Sequence, residues 1–499
     1  MSDIILNKVK KKFRDYSKYI IIILLFLLSW TCLTTVTWYD EQVTIVESVS
    51  GLSNLIEQLR KHDVYPPLYY AIITGISSWI KTNLDSVNFL AIVPIMKVVS
   101  FAFYALFICI SYSFIQKIKG TNSAFIFALL CLSLPALLSY SIEIRPYMLG
   151  ILALQTGWLC AIAALLSKNR LYWIGYGVST AVAMYTHYYA MFTFALVSGC
   201  LFVYLLIFNR KHIASLIIAN VCALIAFSPW IPILLEQISK VQNSWWNKKG
   251  ILETLNMIPE ICGLRIEIVD IIFMVLVLQI FLYALFVTLK EKNWLSCFLL
   301  IVGLLIVPLS WMLCAMNSLV NGQTIIMGRY IIFGVGIYLL GIAWACSYLP
   351  HIIRYALSVL LVILAAFSAF SHISKTYTAH ASIKAWETIV NNMDKPYVYF
   401  SHLHFSHKDV FYTSNSRKII PVIDQLPDFA KRIGGRLSGV ASLIKHPSRK
   451  VGQLQAGETV LVRQRHVKRF EEELKQHKLQ TTRKNRYGYW LYTIKGQES

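Results

Sequence analysis

The chain has 499 residues, 57% of them hydrophobic and 14% charged, with a mean hydropathy of +0.57. Soluble domains carry roughly 25% charged residues, and apolar runs of about 18 residues or more read as membrane spans; the many such runs here exclude a soluble protein with an outsized core. The net charge of +22 divides between short loops beside apolar runs and a basic C-terminal tail, so membrane topology accounts for much of it and nucleic acid is not called for.

The N-terminus carries Lys8, Lys10, Lys11, Lys12, Arg14 and Lys18 ahead of its first apolar run. That run is too long for a signal-peptide core and no small-residue cleavage site follows, so it reads as an uncleaved first span. It continues to Tyr39 without a charge and then meets Asp40 beside Glu41. Charge-free windows place spans near 19–37, 98–116, 123–141, 147–166, 171–187, 189–208, 213–232, 270–289, 294–315, 330–348 and 354–372, eleven in all. Helices are the expected spanning form. Alternate loops are basic (Lys117 and Lys119; Lys168 and Arg170; Arg210 and Lys211; Lys290 and Lys292; Arg354). By the positive-inside rule the N-terminus is cytoplasmic, and an odd span count puts the tail outside the cytoplasm.

The first loop is long and structured. Val46, Val49, Leu52, Leu55, Ile56 and Leu59 recur at helical spacing, which predicts an amphipathic helix able to lie in the membrane interface. Tyr65-Pro66-Pro67 breaks it, and a second apolar stretch runs from Leu68 to Ile80. In the tail, KPYVYF (395–400), ETVLVRQ (458–464) and YGYWLYTI (487–494) read as strands and VKRFEEELKQH (467–477) as a helix. The predicted organisation is therefore an all-α polytopic membrane domain, 1–372, followed by a small extracytoplasmic α/β domain, 373–499. That tail holds 22 Lys and Arg against 10 Asp and Glu. A basic face of this kind serves solvation or attraction to anionic lipid or glycan.

Nine of the ten cysteines lie in apolar spans, Cys262 lies in a loop, and no CxxC pair occurs. The pattern signals neither a disulfide framework nor a thiolate metal site. In SHLHFSHKD (401–409), His402 and His404 would share a strand face, with His407 and Asp409 nearby; exposed tail histidines are the plainer reading. No cofactor is called for, and divalent-metal dependence is left open.

Charged groups gather at the extracytoplasmic ends of spans. Asp40 and Glu41 end the first, Lys97 opens the second, Glu143 and Arg145 precede the fourth, and Arg329 opens the tenth. Singly these are ordinary flanking charges. As a set they suit chemistry on an anionic lipid headgroup, with a carboxylate to take a proton and cations to hold a phosphate. Pro146 suits the first position of a helix, so Arg145 would stand at a helix N-terminus, where phosphates bind readily. His187, with Tyr188 and Tyr189, falls in the tight turn between the fifth and sixth spans and suits either a sugar contact or an interface aromatic belt. Trp245 and Trp246 suit stacking on sugar or a place among headgroups equally.

These motifs resemble one family. WYDEQ after the first span resembles the Asp-Glu pair in the first extracytoplasmic loop of type-C (GT-C) glycosyltransferases. HDVYPPLYY (62–70) resembles the His-Pro-Pro-Leu-Tyr motif of bacterial relatives of protein O-mannosyltransferases, and EIRPYMLG (143–150) their Arg-Pro-Tyr signature. THYYA (186–190) and GRYIIF (328–333) are similar to further recurrent pieces, and the resemblance covers about 19–345 in order. Lipid A aminoarabinose transferase, of the same superfamily, is a looser likeness. Tyr65 stands where the family usually has His before the two prolines, and His62 lies three residues earlier.

The resemblance implies a GT-C fold and an inverting transfer of one sugar from a polyprenyl-phosphate donor to an extracytoplasmic glycan, lipid or protein acceptor, such as lipopolysaccharide, in a bacterial inner membrane. A carboxylate serves as base, and the phosphate leaving group needs cations more than an acid. Asp40 is the expected base, with Glu41 in support. Arg145, Lys97 and Arg329 would hold the donor phosphate. Glu143, His62, Tyr65, Tyr69, His187 and Tyr188 would meet acceptor or sugar. Two alternatives remain: a lipid-glycan ligase or polymerase, and a transporter or flippase of lipid-linked sugars. Transporters place ionisable groups at mid-membrane and often show repeated halves, neither of which this pattern displays.

Overall fold

The computed structural model describes the chain except residues 1, 39, 42–43, 46–47, 49–50, 63, 84–88, 168, 242–250, 263–267, 322–325, 392–396, 402–418, 424–453, 464–466, 487–488 and 498–499. For further residues, among them 2–15, 61–62, 81–83, 89–91, 268–273, 382–391, 397–401 and 419–423, it describes the backbone alone.

Among the described residues, eight helices are long and apolar enough to cross a membrane: Tyr16–Leu33, Ile92–Lys119, Tyr147–Leu166, Tyr188–Phe208, Arg210–Ser239, Trp294–Leu319, Gly328–Cys346 and His351–Ala381. The chain is an integral, multi-pass membrane protein. A further apolar pair, Thr121–Ser133 and Pro135–Ser141, is bent by 73° at its break and forms either a broken span or a re-entrant loop. The break has a local cause: Leu134 is extended (φ −79°, ψ 111°) ahead of Pro135, because a residue before proline is pushed out of the helical region.

Against the eleven expected spans, the described residues show eight such helices, or nine if the bent pair is one span. Two expected windows are helical but shorter. Leu171–Thr186 has 16 residues, and the described apolar part of the helix Ile268–Lys290 is Met274–Lys290.

Two further expectations need correction. Lys97 does not open its span: the helix begins at Phe89 and the apolar stretch at Ile92, so Lys97 lies inside it, 1% exposed. The expected window is charge-free by definition, so Lys97 itself sets its start at residue 98. Pro146 is the N-cap of the helix Tyr147–Leu166, one residue ahead of its expected place, and its carbonyl accepts the Gly150 N–H at 3.0 Å.

Two units divide the chain. The first comprises Met1–Leu33, Leu59–Ile73 and Pro94–Ser374; the second comprises Thr34–Gln58, Thr74–Val93 and Lys375–Ser499. Within the first, Gly328–Cys346 is the central helix, 94% of its window being buried. The Arg210–Ser239 helix is peripheral, exposing Ile217, Ile218, Leu224 and Ile225 as a lipid-facing helix does. The central helix packs tightly against Trp294–Asn321. A Cβ on Gly303 would lie 2.8 Å from the Gly341 Cα, and one on Gly341 2.9 Å from the Gly303 Cα. Paired small residues let membrane helices approach this closely.

The predicted interfacial helix exists as Leu52–His62. Leu55 and Leu59 are buried, whereas Leu52 and Ile56 are more than half exposed. The buried pair follows i, i+4 spacing; Val46 and Val49 lie outside the described residues. The helix stops at His62 and the next starts at Leu68, so the two prolines act as the break that was expected.

In the second unit five strands form one sheet: β1 (Tyr397–Ser401), β2 (Ile419–Ile423), β3 (Thr459–Arg463), β4 (Leu479–Arg486) and β5 (Tyr489–Gln497), in the order β2-β1-β3-β5-β4. β1 runs parallel to both neighbours, and β3, β5 and β4 are antiparallel. The helix Val467–Gln476 buries Val467, Phe470 and Leu474 in one cluster with Val460, Val462, Tyr492 and Ile494. Three strands and the helix match the sequence reading. β2 and β4 were not foreseen.

Candidate active site

The first unit gathers cations and aromatic rings where several chain breaks meet. The Pro66-Pro67 break leaves Tyr65 outside both flanking helices and buried. Ile142–Pro146 is a second break, between Pro135–Ser141 and Tyr147–Leu166, and it carries Arg145. His187 is a third, ending Leu171–Thr186 and beginning Tyr188–Phe208. A backbone free of helical constraint can aim a side chain where a continuous helix could not.

These breaks converge. The Arg145 guanidinium, on a side chain 3% exposed, sits 4.5 Å from the Tyr65 ring centroid and donates from Nη1 to the Tyr70 hydroxyl at 3.1 Å. The Tyr65 ring lies 5.0 Å from the His187 ring. His187 is also 5.9 Å from Tyr147, 4.7 Å from Phe333 and 6.0 Å from Tyr330. Tyr189 stacks on Tyr330 at 4.2 Å and 5°, and Asn317 Nδ2 donates to its hydroxyl at 3.3 Å. Arg329, one residue before Tyr330, acts electrostatically on His187 together with Arg145.

Electrostatics fixes the state of the imidazole. Burial, reinforced by Arg145 and Arg329, holds His187 well below the usual histidine range, so it is neutral near pH 7. Burial pushes the Cys262 thiol up to about 12, which keeps it protonated and poorly nucleophilic.

The sequence-predicted residues sort clearly. Arg145, Tyr65 and His187 come together, with Glu143 and Arg329 near enough to act on the Tyr147 hydroxyl. Tyr69 is buried and bonds Ser100 Oγ at 2.8 Å. Tyr188 is committed elsewhere: its hydroxyl donates to Gln237 and accepts from Trp230 Nε1 at 2.9 Å, while Gln237 Nε2 donates to the Leu59 carbonyl at 3.0 Å. It ties helices together, because adjacent positions on a helix face different directions. Lys97 acts on the Cys32 thiol. The His62 side chain, Trp245, Trp246, His402, His404, His407 and Asp409 lie outside the described residues. Among the described residues no group of three His, Cys, Asp or Glu could hold a metal ion.

Asp40 and Glu41 belong to the second unit. Glu41 is 4% exposed, and its Oε2 accepts the Trp38 backbone N–H at 2.9 Å. That is the reach-back of a capping box. Asp40 is half-buried, and its backbone carbonyl accepts from Thr44 Oγ1 at 3.0 Å. Sequence reasoning did not single out Tyr70, Tyr147 and Tyr330, although each stands inside a motif quoted above.

Two solved structures match over nearly the whole chain. One is the crystal structure of ArnT from Cupriavidus metallidurans in the apo state, with a TM-score of 0.56 and 11% identity over 96% of this chain and 97% of that one. The other is ArnT from the same organism bound to undecaprenyl phosphate, with a TM-score of 0.53 and 11% identity over 96% and 98%. The chain is similar in fold to ArnT. That fold is GT-C, as the motifs implied. An Archaeoglobus fulgidus oligosaccharyltransferase in complex with Zn and sulfate overlaps with a TM-score of 0.39 and 12% identity over 95% and 73%, too low an overlap to carry weight. These structures do not show the narrower likeness to protein O-mannosyltransferases. No protein-family model matches the sequence, and no curated protein matches it.

Proposed function

We propose that this protein is a membrane glycosyltransferase that moves one sugar from a polyprenyl-phosphate donor to an extracytoplasmic acceptor, with inversion. The observation that carries this reading is the buried Arg145 guanidinium, stacked on Tyr65 and bonded to Tyr70, in a fold similar to one solved with undecaprenyl phosphate. A guanidinium brought out of water beside neutral rings suits an anion far better than a neutral solute.

The chemistry is a single displacement. The acceptor hydroxyl oxygen bonds to the anomeric carbon as the bond from that carbon to the phosphate oxygen breaks. The hydroxyl proton goes to the Asp40 carboxylate. The bond's electron pair stays with the leaving polyprenyl phosphate, which gains one negative charge, and Arg145 with Arg329 offsets that charge as it develops. Glu41 supports the helical turn that carries Asp40 through its bond to the Trp38 N–H. Glu143 orients the acceptor, and Lys97 helps hold the phosphate. In this reading the acceptor is a cell-envelope glycan, lipid or protein, the membrane is a bacterial inner membrane, and the N-terminus is cytoplasmic with residues 373–499 outside.

The observation a transport reading would use is Lys97, buried within its span, since charges inside spans mark pathways. Mass spectrometry of envelope glycans and lipid-linked sugars decides, comparing wild type with Asp40→Asn. Loss of one sugar from a glycan with accumulation of its prenyl-phosphate donor supports the transferase. An unchanged glycan profile with nothing accumulated sinks the base assignment and favours transport.

A further inference from the structure

His187 Nδ1 accepts the Tyr189 backbone N–H at 3.1 Å. A nitrogen that accepts carries no proton, so in the neutral ring the proton sits on Nε2. Nε2 is therefore a donor. It is buried, and among the described residues no protein group accepts from it. The Tyr147 hydroxyl is also buried and has no hydrogen-bond partner among the described residues, on a ring 5.9 Å from the imidazole. A buried donor without an acceptor is uncommon and costly; two on neighbouring rings, beside a buried guanidinium, point to a ligand that supplies acceptors.

The kind of ligand follows from the kind of groups. Arg145, the Nε2–H and the Tyr147 hydroxyl can all donate. A sugar hydroxyl brings a proton of its own, whereas ionised phosphate oxygens only accept. The groups that face His187 are Arg145 and Arg329, which bear charge, and the phenol rings of Tyr65, Tyr147, Tyr189 and Tyr330. Were the imidazole charged it would repel both guanidiniums, so a neutral donor is what this position can hold.

We infer that His187 Nε2–H and the Tyr147 hydroxyl are the neutral half of a phosphate site, donating to the donor lipid's phosphate oxygens beside Arg145. This moves His187 from sugar or acceptor contact to donor phosphate, and it rests on the glycosyltransferase reading.

The test exploits the shape of His187. Asn places its side-chain oxygen where Nδ1 is, and keeps the helix cap; Gln reaches to where Nε2 is. The full-length protein in lipid nanodiscs is titrated with undecaprenyl phosphate, with undecaprenol and inorganic phosphate as controls. We expect His187→Asn to keep the thermal midpoint of wild type and to weaken undecaprenyl phosphate binding by roughly ten-fold or more. His187→Gln should recover much of the loss, Tyr147→Phe should weaken binding several-fold, and undecaprenol should bind all variants alike. Inorganic phosphate showing the same losses at equal affinity would support the anion site and make free phosphate its ligand. If His187→Asn and Tyr147→Phe bind as wild type while Arg145→Ala does not, this inference is overturned and the transferase reading stands. If the wild type does not bind undecaprenyl phosphate at all, both fall. Should His187→Asn fail to fold, Tyr147→Phe decides.

Discussion

The Arg145 guanidinium rests over the Tyr65 ring, 4.5 Å from its centroid, although the two lie 80 positions apart in sequence. The contact joins two helix breaks, Pro66-Pro67 and Ile142–Pro146. It also positions the charge, because the ring face attracts a guanidinium held over it.

Replacing that ring tests the contact. Tyr65→Phe keeps the aromatic face and should transfer sugar at close to the wild-type rate. Tyr65→Leu loses an attraction of about 0.5–2 kcal/mol and should raise the donor KM by roughly two- to thirty-fold. Arg145→Lys should do worse than Tyr65→Leu, since an ammonium neither stacks nor bonds in a fork. Initial rates against donor concentration give the comparison.

The two adjacent carboxylates should separate in their effects. Asp40→Asn should lower the transfer rate by about 10²–10⁴-fold, the range for loss of a general base, with an unchanged thermal midpoint. Glu41→Gln should keep much of the activity but lose up to about 1 kcal/mol of stability, as weakened caps do. A paired transfer assay and thermal scan reads both. Equal activity losses with equal stability losses would go against the division of roles.

Acid should destabilise the protein through His187. Its folded pKa is depressed below the ordinary 6.5, so protons bind the unfolded chain first. Stability is full above about pH 6.5 and falls as the pH drops below it toward the folded value. The thermal midpoint should therefore decline between pH 7 and pH 5 more in wild type than in His187→Asn, measured in one detergent at fixed ionic strength.

The glycine seam gives a prediction away from the chemistry. Gly303→Leu or Gly341→Leu places a side chain within 3 Å of opposing backbone. Either should cost about 1–3 kcal/mol or more, as overpacking does, seen as a lower thermal midpoint. Gly199, with nothing within 4 Å of a Cβ, should accept Ala with little change.

Much of the architecture was legible because lipid imposes long apolar runs, and those runs can be read directly. What escaped was set by local chemistry. The Leu134–Pro135 bend divides a run whose hydropathy is continuous, and a charge inside a helix, Lys97, ended the charge-free window and hid how early that helix begins. β4, LQTTRKNR, is too polar to look like a strand, and it lies at the sheet edge, where charged residues are tolerated. β2 contains Pro421, which argues against a central strand and is compatible with the edge it occupies. In the site, Arg145, Tyr65 and His187 could be singled out from motifs. The part taken by Tyr147 and Tyr330, and the diversion of Tyr188 to Gln237, depended on helix phase and on partners distant in sequence.

The seam at Gly303 and Gly341 also limits traffic. Two backbones that leave no room for a methyl group leave none for an acyl or isoprenoid tail. The boundary between those helices is closed to hydrocarbon at that depth. In the proposed transferase, the donor's prenyl tail would pass along some other face, and any selection of its chain length is to be sought away from this seam.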